Sequence, residues 1–454
     1  MRRFKSLYFA MLVLSSSVCL NSAYASSEGL QRLSDSEMSA TTGQALMSLT
    51  YISPKDTLNL ESQRTGVSNP SNGGVGFYKL GLEATLELNA NIKKLQLGCG
   101  GVNGSGACDI DFDNVSLSGV ADTREGRVQS DAKITNPFFE FAIKNPNSAS
   151  TREISGIRFS AESTQGLLTI GTENSATPNG INSLSGYMVV APQTGLATVN
   201  SSRVTQTGPA CTVNATNGCG LNQAITGKAR GTILFGAGFN LDFTTKSYDI
   251  TLTPTQKAQL VLPQQVITGS RMTTANLMAS AVVSGINLSG TLAADVDILG
   301  GITLNGDLTG TINNLPVTVP LSENLGYIHK INLSGSPMSL SLQARDIIWP
   351  GTVSTARSGW WLELSNPIDI GSIDPTDTVT IKADTVRDAL TSVSQELTTN
   401  PLNCGFLATA CLGGNFNVGT RDLSGARPAE LQLSNLQLVN QTFAPNCYGS
   451  LKFC

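Results

Sequence analysis

Histidine is almost missing from this sequence: His329 is the only one in 454 residues. That argues against a histidine-built zinc site, and a Ser-His-Asp hydrolase would have to use this one residue. No G-x-S-x-G stretch supplies a nucleophile elbow, and neither a phosphate-binding glycine loop nor a dinucleotide fingerprint occurs. His329, in "GYIHKINLSG", therefore reads as an exposed residue on a strand. Charge is also scarce. Only 14% of residues are charged, and polarity comes instead from Asn, Ser, Thr and Gly. These residues interrupt every apolar run after the first twenty-five positions, so no transmembrane span is expected in the mature chain.

What is present at the start is an export signal. Arg2, Arg3 and Lys5 precede a mostly apolar stretch from Leu7 to Leu20, and Ala23-Tyr24-Ala25 gives a small-x-small cleavage pattern. Residues 1–25 are thus a signal peptide, and the mature chain begins near Ser26. Cleavage leaves 26 basic residues against 33 acidic ones, a net charge of −7. Such a balance disfavours nucleic acid and anionic lipid as partners. Residues 26–50 read as a short helical segment, because Ser34 and Glu37 have capping-box spacing and Gly43 stands where a helix stops.

Eight cysteines remain after cleavage, in four sequence-local pairs: Cys99 with Cys108, Cys211 with Cys219, Cys404 with Cys411, and Cys447 with Cys454. Eight cysteines allow 105 connectivities, but each pair closes a short Gly- and Asn-rich loop, and export leads to an oxidising compartment. Four local disulfides are expected.

The body of the chain reads as strands. From Leu80 to Ile92 every even position is apolar, while Glu83, Glu87, Asn89 and Asn91 lie on the odd face. One long strand is expected, with a β-bulge at Lys93-Lys94 where the parity flips. From Ile286 to Ile312 every even position is apolar or Gly. A single straight strand of that length would run about 90 Å, so a hairpin turning at Leu299-Gly300-Gly301 is expected, with Leu292 and Leu304 inside and Thr291 and Thr303 outside. "VSLSG" at Val115 and "INLSG" at Ile286 and Ile331 repeat one strand-and-turn recipe without a fixed period. Thr385 to Leu397 is the best internal helix. The fold class is all-β with one or two short helices, its long antiparallel strands forming an elongated sandwich or curled sheet. Residues 51–205 form a first β region and 225–454 a second, with a Cys/Asn/Gly-rich loop or boundary at 206–224.

Two motifs raise chemistry. Asp109, Asp111 and Asp113 in "CDIDFDN" alternate on one strand face and could hold calcium. The spacing is not that of an EF-hand, since Asn114 and Val120 stand at the glycine and glutamate positions, and a solvated face is the simpler reading. No other cofactor is expected. Trp349, Trp360 and Trp361 flank "PGTVSTARSG" as a ligand face or, more simply, as strand packing.

"LSDSEMSATTGQALMSLTYISP" after the signal, then "FYKLGLEATLEL", "CDIDFDNVSLSG" and "NPFFEFAIKNPNSASTREISGIRFSAES", resemble the Fil-type (FilA-like) pilus-assembly proteins of Gram-negative bacteria. The first stretch also resembles the end of bacteriocin leaders, but Gln44 replaces the second glycine of their cleavage site. The resemblance implies an exported, non-enzymatic protein of the periplasm, outer-membrane surface or extracellular fibre, with other pilus or surface-assembly proteins as partners. It brings no catalytic residues. The methylation segment of type IV pilins and the aromatic ending of chaperone-usher subunits are lacking, so an accessory or surface role is expected rather than that of a major pilin. The alternatives are a lipid or hydrophobic-ligand carrier, whose cavity the even face from Ile286 to Ile312 would line, and a secreted hydrolase, which the lone histidine disfavours.

Overall fold

The computed structural model describes residues 47–64, 74–172 apart from 101–103 and 105, 176–207, 223–296, and 302–434 apart from 372 and 374. All the described residues belong to one compact unit. The fold is all-β, as expected. Among the described residues helix is confined to the five residues Arg124–Val128, the long helix Ala383–Thr399 and a few single 3-10 turns.

Three sheets make up the unit, with twelve, seven and seven strands. The first begins at the edge strand Met47–Ile52. It continues through Val75–Leu82, Ala132–Lys144, Glu153–Thr169, Met338–Gln343, Gly359–Ile368, Ile181–Val190 and Ile110–Ser118, and ends at Ala90–Leu97. Ile110–Ser118 also pairs with the end of Glu153–Thr169, so five of these strands close on themselves like a small barrel. The first sheet thus draws strands from both of the expected β regions. Strands Gln265–Met272, Lys330–Ser334, Met338–Gln343 and Gly359–Ile368 all return to the first sheet. Parallel pairing of Gly359–Ile368 with Ile181–Val190 draws distant segments together.

The second sheet holds the expected hairpin. Ile286–Val296 and Ile302–Asn313 pair antiparallel from Ile286↔Ile312 to Val296↔Ile302. The expected turn at Leu299-Gly300-Gly301 lies outside the described residues. Even positions pair with even positions, and Leu288, Leu292, Val296, Leu304, Leu308 and Ile312 are all buried. They join alternate residues of the third sheet, such as Leu277, Ala279, Val317 and Val319, in one apolar cluster. Helix Ala383–Thr399 covers the expected Thr385–Leu397 and adds Val386, Leu390, Val393 and Leu397 to that cluster.

The run from Leu80 behaves differently. It breaks into Val75–Leu82, Thr85–Leu88 and Ala90–Leu97. Val75–Leu82 and Thr85–Leu88 pair with the same neighbour, but the pairing advances by one residue between Gly81↔Phe138 and Thr85↔Thr135. Leu86 and Leu88 thus turn to the opposite face from Leu80. The irregularity sits at Glu83–Ala84 rather than at the lysines. Across Lys93 the register is continuous, and the strain falls on the facing Asn114, at φ +52°. Leu80, Leu86, Leu88 and Ile92 are all exposed.

The expected Ser34–Thr42 helix lies outside the described residues, as do four of the eight cysteines: Cys211, Cys219, Cys447 and Cys454. Of the segment 26–50 assigned as helical, Met47–Thr50 belongs to a strand and the rest lies outside the described residues. Likewise Ser202–Thr207 is a paired strand rather than the start of a loop.

Candidate functional site

The edge strand Met47–Ile52 has the sequence MSLTYI, with no charge, proline or glycine. It pairs with Val75–Leu82 on one side, and among the described residues no strand pairs with its other side. Natural sheets usually protect such an edge with lysine, proline or a bulge. The far end of the same sheet is protected in this way. Ala90–Leu97 carries Lys93 and Lys94, and Lys94 Nζ lies 2.5 Å from Asp111 Oδ1 and 2.9 Å from Asp113 Oδ1.

Directly paired residues in neighbouring strands share a face. Two rows follow from the register. Leu49, Leu80, Phe139, Phe159 and Leu340 form one, and Tyr51, Tyr78, Phe141, Ile157, Leu342 and Trp360 the other. At one end Leu340 and Trp360 pack against the main core. At the other, Leu49 is 73% exposed and Phe139 48% exposed. Tyr51 stacks on Tyr78 with ring centroids 4.3 Å apart, and Phe139 tilts against Phe159 at 5.3 Å. Ile154, 65% exposed, adds to the same surface beside Ile143. An apolar platform thus leaves the core and runs across six strands to the edge Met47–Ile52. Large exposed apolar surfaces are a common feature of interaction sites.

The reverse face of these strands is closed and polar in part. Val75, Phe77, Ala142, Ile347, Trp349, Ala356 and Trp361 form a second small core. Arg158 pairs with Glu140 inside it and donates to Pro350 O at 2.9 Å. Its guanidinium carbon lies 5.4 Å from the ring centroids of both Phe138 and Trp349. Burial pushes the Glu140 carboxyl up against the opposing pull of Arg158, and pushes the Arg158 guanidinium down. Burial also pushes Glu363 up, although it accepts from Ser354 Oγ at 2.6 Å and Val353 N at 3.2 Å. Buried Glu61 accepts from Ile348 N at 2.8 Å and from Arg64. Glu61, Arg158 and Glu363 together pin the segment 344–358 under the platform, which gives the exposed face a rigid backing.

The three aspartates proposed for calcium are not brought to one point. Asp111 and Asp113 share a face, with Lys94 between them and Asn182 Nδ2 donating at 3.2 and 2.6 Å. Hydrogen bonds from Lys94, Gln96 and Asn182 hold the Asp111 carboxyl low despite the contrary effect of burial. Asp109 is buried elsewhere. Its Oδ2 accepts from Trp360 N at 3.0 Å, and Arg271 lies 3.9 Å away. Gly98 and Gly359, both at positive φ, make room for it, since a Cβ on either would come within 2.4 Å of the carboxylate. Among the described residues no group of three or more His, Cys, Asp or Glu is placed to hold a metal ion.

Two of the four expected disulfides are present among the described residues, Cys99–Cys108 and Cys404–Cys411. The other two expected pairs, Cys211 with Cys219 and Cys447 with Cys454, lie outside the described residues. His329 corrects the sequence reading. It is buried rather than exposed, with Nδ1 2.9 Å from Ile170 O and its own carbonyl accepting from Ile170 N. It therefore stitches the end of Glu153–Thr169 to the chain before Lys330–Ser334. The tryptophans pack rather than line a ligand face: Trp349 and Trp361 in the small core, Trp360 against the main one.

Sequence reasoning missed the platform itself. Its signal was the run "NPFFEFAIK", whose Phe139 and Phe141 alternate with the buried Phe138, Glu140 and Ala142. A strand with aromatics on one side and a carboxylate on the other has two unlike faces, and the carboxylate here points inward. No helix of the described residues is long and apolar enough to cross a membrane. The chain matches no protein-family model, no curated protein and no solved structure.

Proposed function

We propose that this is an exported, non-enzymatic component of pilus or surface-fibre assembly that binds an extended strand of a partner assembly protein. The observation that carries this reading is the uncharged edge Met47–Ile52, unpaired on one side among the described residues and joined to a continuous apolar face. A partner strand laid along that edge would satisfy its free backbone donors and acceptors and extend the rows of Leu49 and Tyr51 with its own alternate side chains. An unpaired edge calls for a strand rather than a helix or a small ligand. The disulfides suit an oxidising compartment outside the cytoplasm. The carrier alternative has less support, because Ile286, Leu288, Leu292, Ala294, Val296, Leu304, Leu308 and Ile312 are packed into the main cluster.

The test is to replace Leu49→Lys and Phe139→Asp in the producing cells. Both residues are exposed, so export and folding should persist while surface fibres, viewed by electron microscopy, and cross-links to partner subunits are lost. Normal fibres and unchanged cross-links in both variants would overturn the reading.

A further inference from the structure

The second sheet ends in two neighbouring tips that carry no charge. The first is the turn Ile233–Ala237 between strands Thr226–Thr232 and Gly238–Pro254, closed by Ile233 N donating to Ala237 O at 2.8 Å. Leu234 and Phe235 form its apex, and Phe235 is fully exposed at 104%. Its φ is +67°, a left-handed conformation that a bulky side chain rarely adopts. The second tip follows strand Leu402–Phe406, which runs parallel to the first and places Phe406 opposite Thr232. Leu407 N donates to Thr232 O at 2.7 Å, and Leu407 and Ala408 are again at positive φ. The Cys404–Cys411 disulfide folds Leu412 back beside this tip. Leu234, Phe235, Phe406, Leu407 and Leu412 are all exposed. No charged residue occurs in 231–240 or 402–415.

We propose that these tips anchor the protein peripherally in the headgroup region of a zwitterionic lipid bilayer. A protruding, fully exposed aromatic would need a matching pocket on a protein, but the interfacial zone of a bilayer accepts it without one. Tips free of charge can enter without desolvating an ion, and a disulfide and a hydrogen-bonded turn hold them ready. The tips offer no lysine or arginine for anionic headgroups, and the chain is acidic overall, so the attraction is apolar rather than electrostatic. The tips lie on the second sheet and the platform on the first, so the two surfaces can be separated by mutation.

The experiment is flotation of the full mature chain, disulfides intact, with phosphatidylcholine vesicles. Phe235→Gly is the key variant, because glycine adopts the positive φ freely and the fold should survive. Wild type should float, Phe235→Gly should float about ten-fold less, and the triple change Leu234→Ser, Phe235→Gly, Phe406→Ser should not float at all. Leu49→Lys, on the platform, should float like wild type. The proposal fails if wild type does not float, if Phe235→Gly floats equally well, or if flotation needs phosphatidylglycerol. It also fails if Phe235→Gly abolishes cross-linking to a protein while leaving flotation unchanged.

Discussion

In the hairpin Ile286–Ile312 the alternate side chains Leu292, Ala294 and Leu304 are sealed in the main core. On the platform Leu49, Leu80 and Phe139, which share one face across three paired strands, are exposed. The hairpin's apolar side lies in one cluster with residues of the third sheet and of the helix Ala383–Thr399. The platform strands have their cover on the other side, where segment 344–358 encloses Phe77, Trp349 and Trp361 together with Arg158 and Glu140. A strand presents two faces but this fold supplies only one extra layer there, and that layer went to the face holding the charges. Alternation tells which residues share a face. Whether that face is dry depends on what the rest of the chain places over it.

The largest expected effects test this difference directly. Leu292→Asp puts a carboxylate in a sealed core and should cost about 4 kcal/mol or more, or prevent folding altogether. Phe139→Asp puts the same carboxylate on the platform and should stay within about 1 kcal/mol, since half of the ring is already in water. Urea denaturation of the two variants measures both. Equal losses would mean that the platform is covered in the isolated chain, and the contrast would disappear.

The disulfides come next in size. Cys404→Ser with Cys411→Ser opens a loop of seven residues' separation near the second sheet's tips, and should cost about 2–3 kcal/mol on the chain-entropy account. The matching change at Cys99 and Cys108 should cost about the same. Thermal melts with and without reductant check both. A much larger loss at Cys404 would mean that the disulfide also holds the strands Leu402–Phe406 and Leu412–Asp422 at the two ends of the second sheet.

The fold class and the hairpin were legible because period two survives wherever a strand has one wet face, and Ile286–Ile312 keeps that period without a break. The helix at Thr385 was legible from its own amphipathic spacing. The Leu80 run was misread because a one-residue slip at Glu83–Ala84 leaves no mark in the pattern of side chains. Pairing partners were not legible at all. The return of Met338–Gln343 and Gly359–Ile368 to the first sheet depends on contacts between residues far apart in sequence. His329 was misread for the same reason, since its burial is set by the distant Ile170. The platform stayed hidden because exposure is a property of the assembled layers.

Acidity separates the platform's closed side from the rest of the surface. Burial raises the carboxyls of Glu140 and Glu363 above the ordinary glutamate value of 4.5. The unfolded chain releases these protons as pH passes 4.5, whereas the folded chain keeps them to higher pH. Their stabilising contribution is therefore full below 4.5 and is lost as pH rises through the folded values. Asp111, and Asp388, which hydrogen bonds from Arg427 hold low, act in the opposite sense. Their folded values lie below the ordinary 3.8, so their contribution is present above 3.8 and is lost as pH falls through the lowered values. The melting temperature should thus rise on going from about pH 7 toward about 5 and fall in stronger acid. Glu363→Gln should flatten the upper slope by removing its titration, and Asp111→Asn should soften the acid limb. An unchanged upper slope in Glu363→Gln would show that Ser354 and Val353 hold this carboxylate ionised in the folded state.

The smallest expected effect tests the wet face of the hairpin. Thr291 points outward, and its register partners are Asp249 on one side and Asp307 on the other. Thr291→Lys would set an ammonium between two carboxylates and should stabilise the fold by about 0.5 kcal/mol at low salt. Asp249 is already engaged by Arg203, whose Nε lies 2.8 Å from Oδ1, which limits the gain. Thr291→Asp would place three carboxylates in a row and should destabilise by a similar amount. Ser289→Asp, whose partners Thr251 and Thr309 are uncharged, should be neutral. Because these side chains are solvated, about 1 M salt should collapse all three variants onto the wild-type curve. If the differences persist at high salt, or if Ser289→Asp costs as much as Leu292→Asp, the outer face of the hairpin is not wet. The core would then be closed on both sides, and the platform would be the only sheet face of its kind among the described residues.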